Sequence, residues 1–145
     1  MAQSEAKIGY GTLLKFETAA GSGVFTAVAE VRNITGLPAL ETDEVEVTHM
    51  ESPDSIREFI AGLKTPGQLD FEINYILTHA THDSTTGLRA LQISGEVRDW
   101  QVVFVDFNVT FQGPGFVKSF QPQAPVDGAI TATVAVKQAG AWDEL

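Results

Sequence analysis

Two histidines and an aspartate that lie close together are the residues of this chain most suited to chemistry. His79 and His82 are three positions apart, and Asp83 follows directly. Histidines with this spacing on a helix could bind one metal ion. The stretch is typical of a junction between a strand and a helix, and no third ligand has suitable spacing. We therefore expect polar loop residues, with Asp83 as a helix N-cap, and we expect no catalytic residue, cofactor or metal.

A second group of charged side chains, the carboxylates of residues 41–46, suggests calcium by its composition alone. Calcium needs a turn that brings several oxygens around one point, and the loop signature with its central glycine is missing here. Along a strand, Glu44 and Glu46 point the same way but are about 7 Å apart. The pattern favours one face of a strand, not a metal site.

Two alternating segments position these carboxylates. The segments are residues 44–48 and 68–75, and successive side chains of a strand point to opposite faces. The apolar residues that could share a buried face are Val45, Val47, Leu69, Phe71, Ile73 and Tyr75. The acidic residues that could share the other face are Glu44, Glu46, Asp70 and Glu72, with Thr48 and Asn74 extending the polar strip.

Between these strands lies a long apolar loop, Met50 to Gly67. Its large apolar residues are Ile56, Phe59, Ile60 and Leu63, and a monomer would have difficulty burying them. Ser55 and Glu58 have the spacing of a capping box, and the four apolar residues fall on one helical stripe. On this pattern a short helix is one open interpretation. In any conformation, we expect residues 50–67 to be an assembly loop.

The remaining pattern consists of short strands with one helix. We predict strands over residues 12–18, 24–33, 97–107, 108–111, 116–121 and 129–137, a helix over 84–93, and a turn at Gly113-Pro114-Gly115. This combination predicts a mainly β (α+β) fold, a β-sandwich or partly closed barrel with one flanking α-helix and a long strand-connecting loop. We expect one domain over residues 1–145, with an N-terminal arm (1–10) and a C-terminal tail (139–145).

Composition excludes several classes of protein. The net charge of −10 argues against a surface that grips nucleic acid, because such surfaces need clustered Lys and Arg. The 145 residues include no cysteine, so there is no disulfide or thiol chemistry. No apolar run has the length of a membrane span or the character of a signal peptide.

A family resemblance rests on the order of several segments. These are Val28-Ala29-Glu30-Val31, Ile34-Thr35-Gly36-Leu37-Pro38, Glu41-Thr42-Asp43, Arg57 to Lys64, and Phe71-Glu72-Ile73-Asn74-Tyr75. In this order the chain resembles the tail tube proteins of long non-contractile-tailed phages, the lambda-like family, from about Gly9 to Gly140. Thr65-Pro66-Gly67 departs from the glycine-rich acidic turn that the family more often has.

The resemblance implies a structural protein of the virion tail that assembles into stacked, usually hexameric, rings around a channel for DNA. It also suggests, as the alternative to a short helix, that residues 50–67 are an arm that becomes ordered on assembly. In such an assembly we expect a subunit interface at Ile56, Phe59, Ile60 and Leu63, a lumen lined by the acidic strip, and Trp142 as an anchor between rings. The implied partners are further copies, the tape measure, terminator and distal tail proteins, and passing DNA, with no membrane. The alternatives are a carbohydrate-binding β-sandwich module, which needs an exposed aromatic platform, and a tail terminator or secretion-system tube subunit.

Overall fold

A computed structural model describes residues 11–37 and 39–145; the predicted N-terminal arm, residues 1–10, lies outside the described residues. The strands are β1 (Leu13–Glu17), β2 (Phe25–Ala27), β3 (Val31–Gly36), β4 (Leu40–Glu46), β5 (Phe59–Pro66), β6 (Gln68–Asn74), β7 (Arg98–Phe104), β8 (Val109–Gln123), β9 (Thr131–Gln138) and β10 (Asp143–Glu144). The helix α1 spans Leu88–Ser94, and Pro53–Ser55 form a single 3-10 turn.

Among the described residues, eight strands form one antiparallel sheet, in the order β2-β1-β7-β8-β9-β6-β3, with β10 pairing separately with β8. These strands curl without closing into a barrel. Trp100 on β7 shows the curl, because its ring lies 5.5 Å from that of Phe16 on adjacent β1 and 6.5 Å from that of Phe71 on β6, three strands away. The predicted mainly β fold with one helix is confirmed.

The core fills the concave side of this sheet. Alternation puts Leu69, Phe71 and Ile73 inside, each at most 1% exposed, and α1 covers part of β8 with Leu88 and Leu91. Burying side chains of this size stabilises the fold by about 1.5–3 kcal/mol each.

Two predictions of local structure are wrong. The chain over residues 24–33 is two strands, because Glu30 takes a left-handed conformation (φ 53°) between β2 and β3. Gly113-Pro114-Gly115 does not turn but continues within β8. The reversal lies instead between β7 and β8, where Asn108 has φ 55°.

The predicted C-terminal tail contains a short strand. Asp143–Glu144 form β10 against Gln112 and Phe111 of β8. Beyond them, Thr110 and Leu145 exchange two backbone hydrogen bonds of 3.3 and 2.7 Å. The tail is therefore part of the sheet.

Candidate functional site

The segment predicted as an assembly loop is one strand of a projecting hairpin. Strand β5 pairs with β4 in a separate two-stranded sheet. The ladder continues into the main sheet without a change of register: Gly36 pairs with Asp70, Gly67 N–H donates to Ala39 O (2.9 Å), and Leu40 pairs with Pro66. Strands β3–β4 and β5–β6 thus form one long antiparallel ribbon, and the β4–β5 hairpin is the half that leaves the body.

One side of this ribbon, called here the polar face, carries the predicted acidic strip. Residues directly opposite each other in an antiparallel pair share a face. Glu44 pairs with Ala61 and Glu46 with Phe59. Asp70 and Glu72 are half-buried, and their side chains point to the side of β6 opposite its buried core residues. Alternation along the continuous ladder places all four carboxylates on the polar face.

The polar face is not uniformly acidic. Arg32 Nη1 lies 3.0 Å from Glu72 Oε1 in a partly exposed ion pair, and Gln68 Nε2 donates to Asp70 Oδ1 (2.9 Å). On the hairpin, no described side chain forms an ion pair with Glu44 or Glu46. On the polar face, Glu44 and Glu46 of β4 are therefore carboxylates that no described cation neutralises.

The other side of the ribbon, the apolar face, begins as the protein core and ends in solvent. Its body half is the buried set Leu69, Phe71 and Ile73. Its hairpin half continues with Val45 (44% exposed) and, directly opposite, Ile60 (55% exposed). The predicted apolar alternation is therefore present on one ribbon, but the hairpin part is not buried in the subunit because the ribbon extends past the body.

The four predicted interface residues do not lie on one helical stripe, because β5 is a strand. Ile60 lies on the apolar face. Leu63 follows a β-bulge, where Gly62 and Leu63 both oppose Asp43, and alternation with Lys64 directs it to the apolar face as well. Phe59 lies on the polar face and Ile56 in the loop before β5. All four are more than half exposed.

The hairpin tip replaces the predicted capping box. Ser52 Oγ donates to Glu58 Oε2 (2.7 Å) and lies 3.1 Å from Nδ1 of His49. Glu58 N–H donates to Thr48 Oγ1 (2.9 Å). Glu58 therefore closes the tip of the hairpin by bonding to Ser52 and does not form a capping box with Ser55. Ser52 and Glu58 are six residues apart, and this separation did not indicate their bond.

The base of the hairpin is fixed to the body by β9. Lys137 Nζ donates to Pro66 O (2.9 Å), and Gln138 N–H donates to Gly67 O (3.2 Å). These two bonds lie where β5 becomes β6, so they hold the angle at which the hairpin leaves the body.

The histidine cluster holds two loops together. His82 is fully buried; its Nδ1 accepts the Ile76 N–H (3.1 Å), and its Nε2 lies 2.7 Å from Ala29 O. Burial lowers the pKa of His82, because desolvation penalises the imidazolium. Within the described residues, no three His, Asp or Glu side chains are placed to hold a metal.

Asp83 is not the helix N-cap. Its Oδ1 accepts backbone N–H groups of Thr85, Thr86 and Gly87 at 2.8–3.1 Å, and these bonds, the one from Thr86 foremost, lower the pKa of its carboxyl. The helix begins only at Leu88, after Gly87. A Cβ at Gly87 would collide with the backbone of residues 81–83, so the glycine permits the close approach of loop and helix.

Trp142 is docked within its own subunit. The indole is half-buried against Gly113, and its Nε1 donates to Pro114 O (3.0 Å). This contact fixes the residue that precedes β10. A contact of Trp142 between rings stays a prediction.

Comparison with known proteins gives consistent results. A family model described as "Lambda phage tail tube protein, TTP" matches residues 9–143. A chain of the tail of an empty GTA particle, refined with C6 symmetry, is 28% identical with a TM-score of 0.73, covering 97% of this chain and 99% of that one. A chain of the native gene transfer agent virion is 24% identical with a TM-score of 0.74, with the same coverage.

More distant structures share the fold. The SPP1 tail tube is 13% identical with a TM-score of 0.62, covering 92% of this chain and 74% of that one. No curated protein sequence matches the chain. In the described ranges no helix has the length and apolar character to cross a bilayer. Because the family model spans nearly the whole sequence, this chain belongs to the lambda phage tail tube protein family.

Proposed function

We propose that this chain is the major tail tube subunit of a phage or phage-like particle and that it self-assembles, through its β4–β5 hairpin, into stacked hexameric rings around a channel for DNA. The structural role in a virion tail follows from family membership. Sixfold symmetry is the symmetry of the GTA tail, whose chain is similar over its whole length. The partners we propose are further copies and the tape measure, terminator and distal tail proteins.

The observation that carries the assembly proposal is that the face of the ribbon that forms the core in the body carries exposed Val45, Ile60 and Leu63 on the hairpin. Alternation places Glu41 and Asp43 among them on that face. A two-stranded hairpin alone in water is marginally stable. Here Ile60 is 55% exposed and Leu63 is 83% exposed in the subunit. A neighbouring subunit that covers this face would extend its own core across the interface. Such burial contributes about 1.5–3 kcal/mol for each large side chain, against the entropic cost of association.

Ring geometry gives this contact a further consequence. A head-to-tail contact between identical subunits closes into a ring when its rotation is correct. Within the described chain, β2 and β3 end the sheet without a further partner strand. Pairing between subunits would cover such edges, which otherwise template aggregation.

We further propose that the polar face lines the channel. Carboxylates repel a phosphate backbone, so DNA would pass without adhering, and every subunit repeats the same charges around the ring. Since Arg32 pairs with Glu72, the repulsion would come mainly from Glu44 and Glu46 on the hairpin.

The assembly test replaces Ile60 and Leu63 by serine together. We expect the purified variant to stay a folded monomer, because exposed substitutions change stability by about 0.5 kcal/mol or less, and to form no tubes in negative-stain images at concentrations where the parent does. Val126→Ser is the matched control, since Val126 is fully exposed in a loop of the body, and it should form tubes. Normal tubes from the double variant would contradict the proposal, and so would its unfolding as a monomer.

A further inference from the structure

The β4–β5 hairpin joins the body through an interruption of the regular strand at Gly67. The Gly67 N–H donates to Ala39 O (2.9 Å), between β3 and β4, whereas the Gly67 C=O accepts the Gln138 N–H (3.2 Å) from β9, on the other side of the ribbon. In a regular antiparallel pair, one residue exchanges both bonds with the same neighbour. The backbone therefore twists at Gly67, and the direction of the hairpin depends on what holds it beyond this residue.

The backbone of β9 stops following the ribbon at this point. The pairs between β6 and β9 end at Gln68 and Lys137. Ala139 N–H, which follows β9, donates to Pro114 O of β8 (3.0 Å). Among the described residues, the backbone of β9 therefore makes no hydrogen bond to the ribbon on the hairpin side of Gly67.

The side chain of Lys137 makes the connection that the backbone does not. Its Nζ donates to the carbonyl of Pro66 (2.9 Å), the last residue of β5, in a partly buried contact. A hydrogen bond from an ammonium group is stronger than one between neutral groups, and the flexible lysine stem lets the ammonium reach past the end of the backbone ladder. This bond therefore restrains the hairpin on the side where backbone pairing with β9 has ended.

Ring assembly depends on the direction that this bond restrains. Head-to-tail contacts between identical subunits close into a ring only when the rotation between neighbours is correct, and they otherwise give open helical assemblies. Where the hairpin carries the contact, its direction sets that rotation, and an error in direction is repeated at every contact around the ring.

We propose that Lys137 is a positioning residue for ring closure: its bond to Pro66 O fixes the direction in which the hairpin leaves the body, and thereby the rotation between neighbouring subunits. This role rests on the proposed assembly through the β4–β5 hairpin. Lys137→Met keeps the apolar stem but removes the donor, so the hairpin takes a wider range of directions. Lys137→Arg keeps a cationic donor and with it the restraint.

The free subunit tests the restraint without any tube. Because the chain has no cysteine, spin labels can be attached through Ala61→Cys in β5 and Gln121→Cys in β8, both at exposed positions. Double electron–electron resonance in dilute protein then measures the distance between the two labels. The distribution of distances should be at least twofold wider with Lys137→Met than in the parent, and unchanged with Lys137→Arg.

Lys118→Met is the matched control, since Lys118 is an exposed lysine of β8, and it should match the parent. Equal widths for Lys137→Met and the parent would refute the proposal, and so would equal widening by the control. Unfolding of the Lys137→Met subunit, seen by circular dichroism, would assign Lys137 to the stability of the subunit and would also overturn the proposal.

Electron microscopy of tubes tests the consequence for the ring. Under conditions in which the parent forms tubes of one ring symmetry, Lys137→Met should give rings of mixed subunit number or open, irregular assemblies. Lys137→Arg should restore the parent symmetry. Tubes of unchanged symmetry from Lys137→Met would overturn the role of Lys137 in ring closure and leave the assembly role of the hairpin standing. A parent chain that forms no tubes would instead contradict the assembly role itself, and the ring-closure role with it.

Discussion

Trp142 lies so close to Gly113 that the indole occupies the space that a Cβ at position 113 would need. Gly113 is opposite Trp100 in the β7–β8 ladder, so the two tryptophans pack on the same side of the sheet. Through this contact the C-terminal tail covers an end of the core, and a residue outside the long strands secures the position of β10.

The first prediction concerns this contact. Gly113→Ala should lower the free energy of unfolding by about 1–3 kcal/mol, the usual cost of overpacking a filled site, and should displace Trp142. Urea denaturation measures the loss, and a red-shifted tryptophan emission reports the displaced indole. Gly67→Ala is the control, because a Cβ there would make only an ordinary contact of 3.4 Å with Ala39. Equal stability of Gly113→Ala and the parent would contradict the close contact.

The second prediction concerns His82 and pH. Because its pKa is lowered in the fold, the unfolded chain binds more protons in acid, and folding stability falls as the pH drops below the ordinary value of about 6.5. Protonation of Nδ1 would also replace the acceptor for Ile76 N–H by a second donor. The parent should therefore lose stability between about pH 7.5 and pH 5.5, and His82→Gln should show a flatter profile. His79→Gln is the control for the neighbouring ring, and parallel profiles for His82→Gln and the parent would refute the assignment.

The third prediction concerns Glu17, which is buried at the end of β1. Burial alone would raise the pKa of its carboxyl, but hydrogen bonds from backbone N–H groups, that of Gly23 (2.9 Å) and that of Asp99 (3.0 Å) among them, outweigh it and lower the pKa. Stability from this group is present above the ordinary pKa of about 4.5 and is lost as the pH falls below it. Glu17→Gln should cost about 1–3 kcal/mol at neutral pH, since buried donors lose a charged acceptor.

Chemical denaturation at pH values on both sides of the glutamate pKa checks the predicted contribution of Glu17 to stability. The free energy of unfolding should fall less steeply in acid for Glu17→Gln than for the parent. The difference in stability between the two proteins should therefore shrink as the pH falls. Glu96→Gln is a suitable comparison because Glu96 is exposed and its contact with Arg98 is long, at 3.4 Å. A deficit that stays constant across the acid range would show that the Glu17 carboxylate contributes by packing alone.

The parts of the fold that could be predicted from sequence are those where one local pattern agrees with burial. Strand β6 is the clearest case, since Leu69, Phe71 and Ile73 alternate and all are buried. The polar face followed from the same alternation. What alternation could not indicate was how far the ribbon would extend past the body, because exposure depends on the length of the neighbouring strands.

The hairpin shows where local pattern fails. The spacing of Ile56, Phe59, Ile60 and Leu63 fits a helical stripe, but pairing with β4 decides the conformation of β5. Gly62 is consistent with this, because a Cβ at that position would lie 2.9 Å from Val45 Cγ2 and 3.2 Å from Asp43 O. The pairing between β4 and β5 is the decisive interaction, and the sequence of β5 alone does not reveal it.

Pro114 is a second instructive case. Proline and two glycines usually mark a turn, yet β8 runs through them. Pro114 O accepts the Ala139 N–H, so the missing donor of the proline faces the gap between the end of β9 and the start of β10. The small residues on either side make room for Trp100, Val136 and Trp142. The tertiary neighbours, not the local sequence, explain this tripeptide.

The last prediction concerns the charge of the proposed channel. Glu44 and Glu46 lie on the polar face of β4, are exposed, and form no ion pair with a described residue. Changing both to Lys should leave the apolar face intact, so tubes should still form. Each ring, however, would exchange a band of carboxylates for ammonium groups that attract phosphate, an attraction that weakens as salt is added. Purified tubes of the double variant should therefore retain linear DNA at low ionic strength and release it at high salt, whereas parent tubes should retain none.

Asp106→Lys with Asp127→Lys adds the same charge at exposed turns of the body and should not produce retention by the channel. Particles that carry the Glu44 and Glu46 changes and eject their DNA at the normal rate would show that β4 does not face the lumen, and retention by the control tubes as well would attribute the effect to net charge rather than to position.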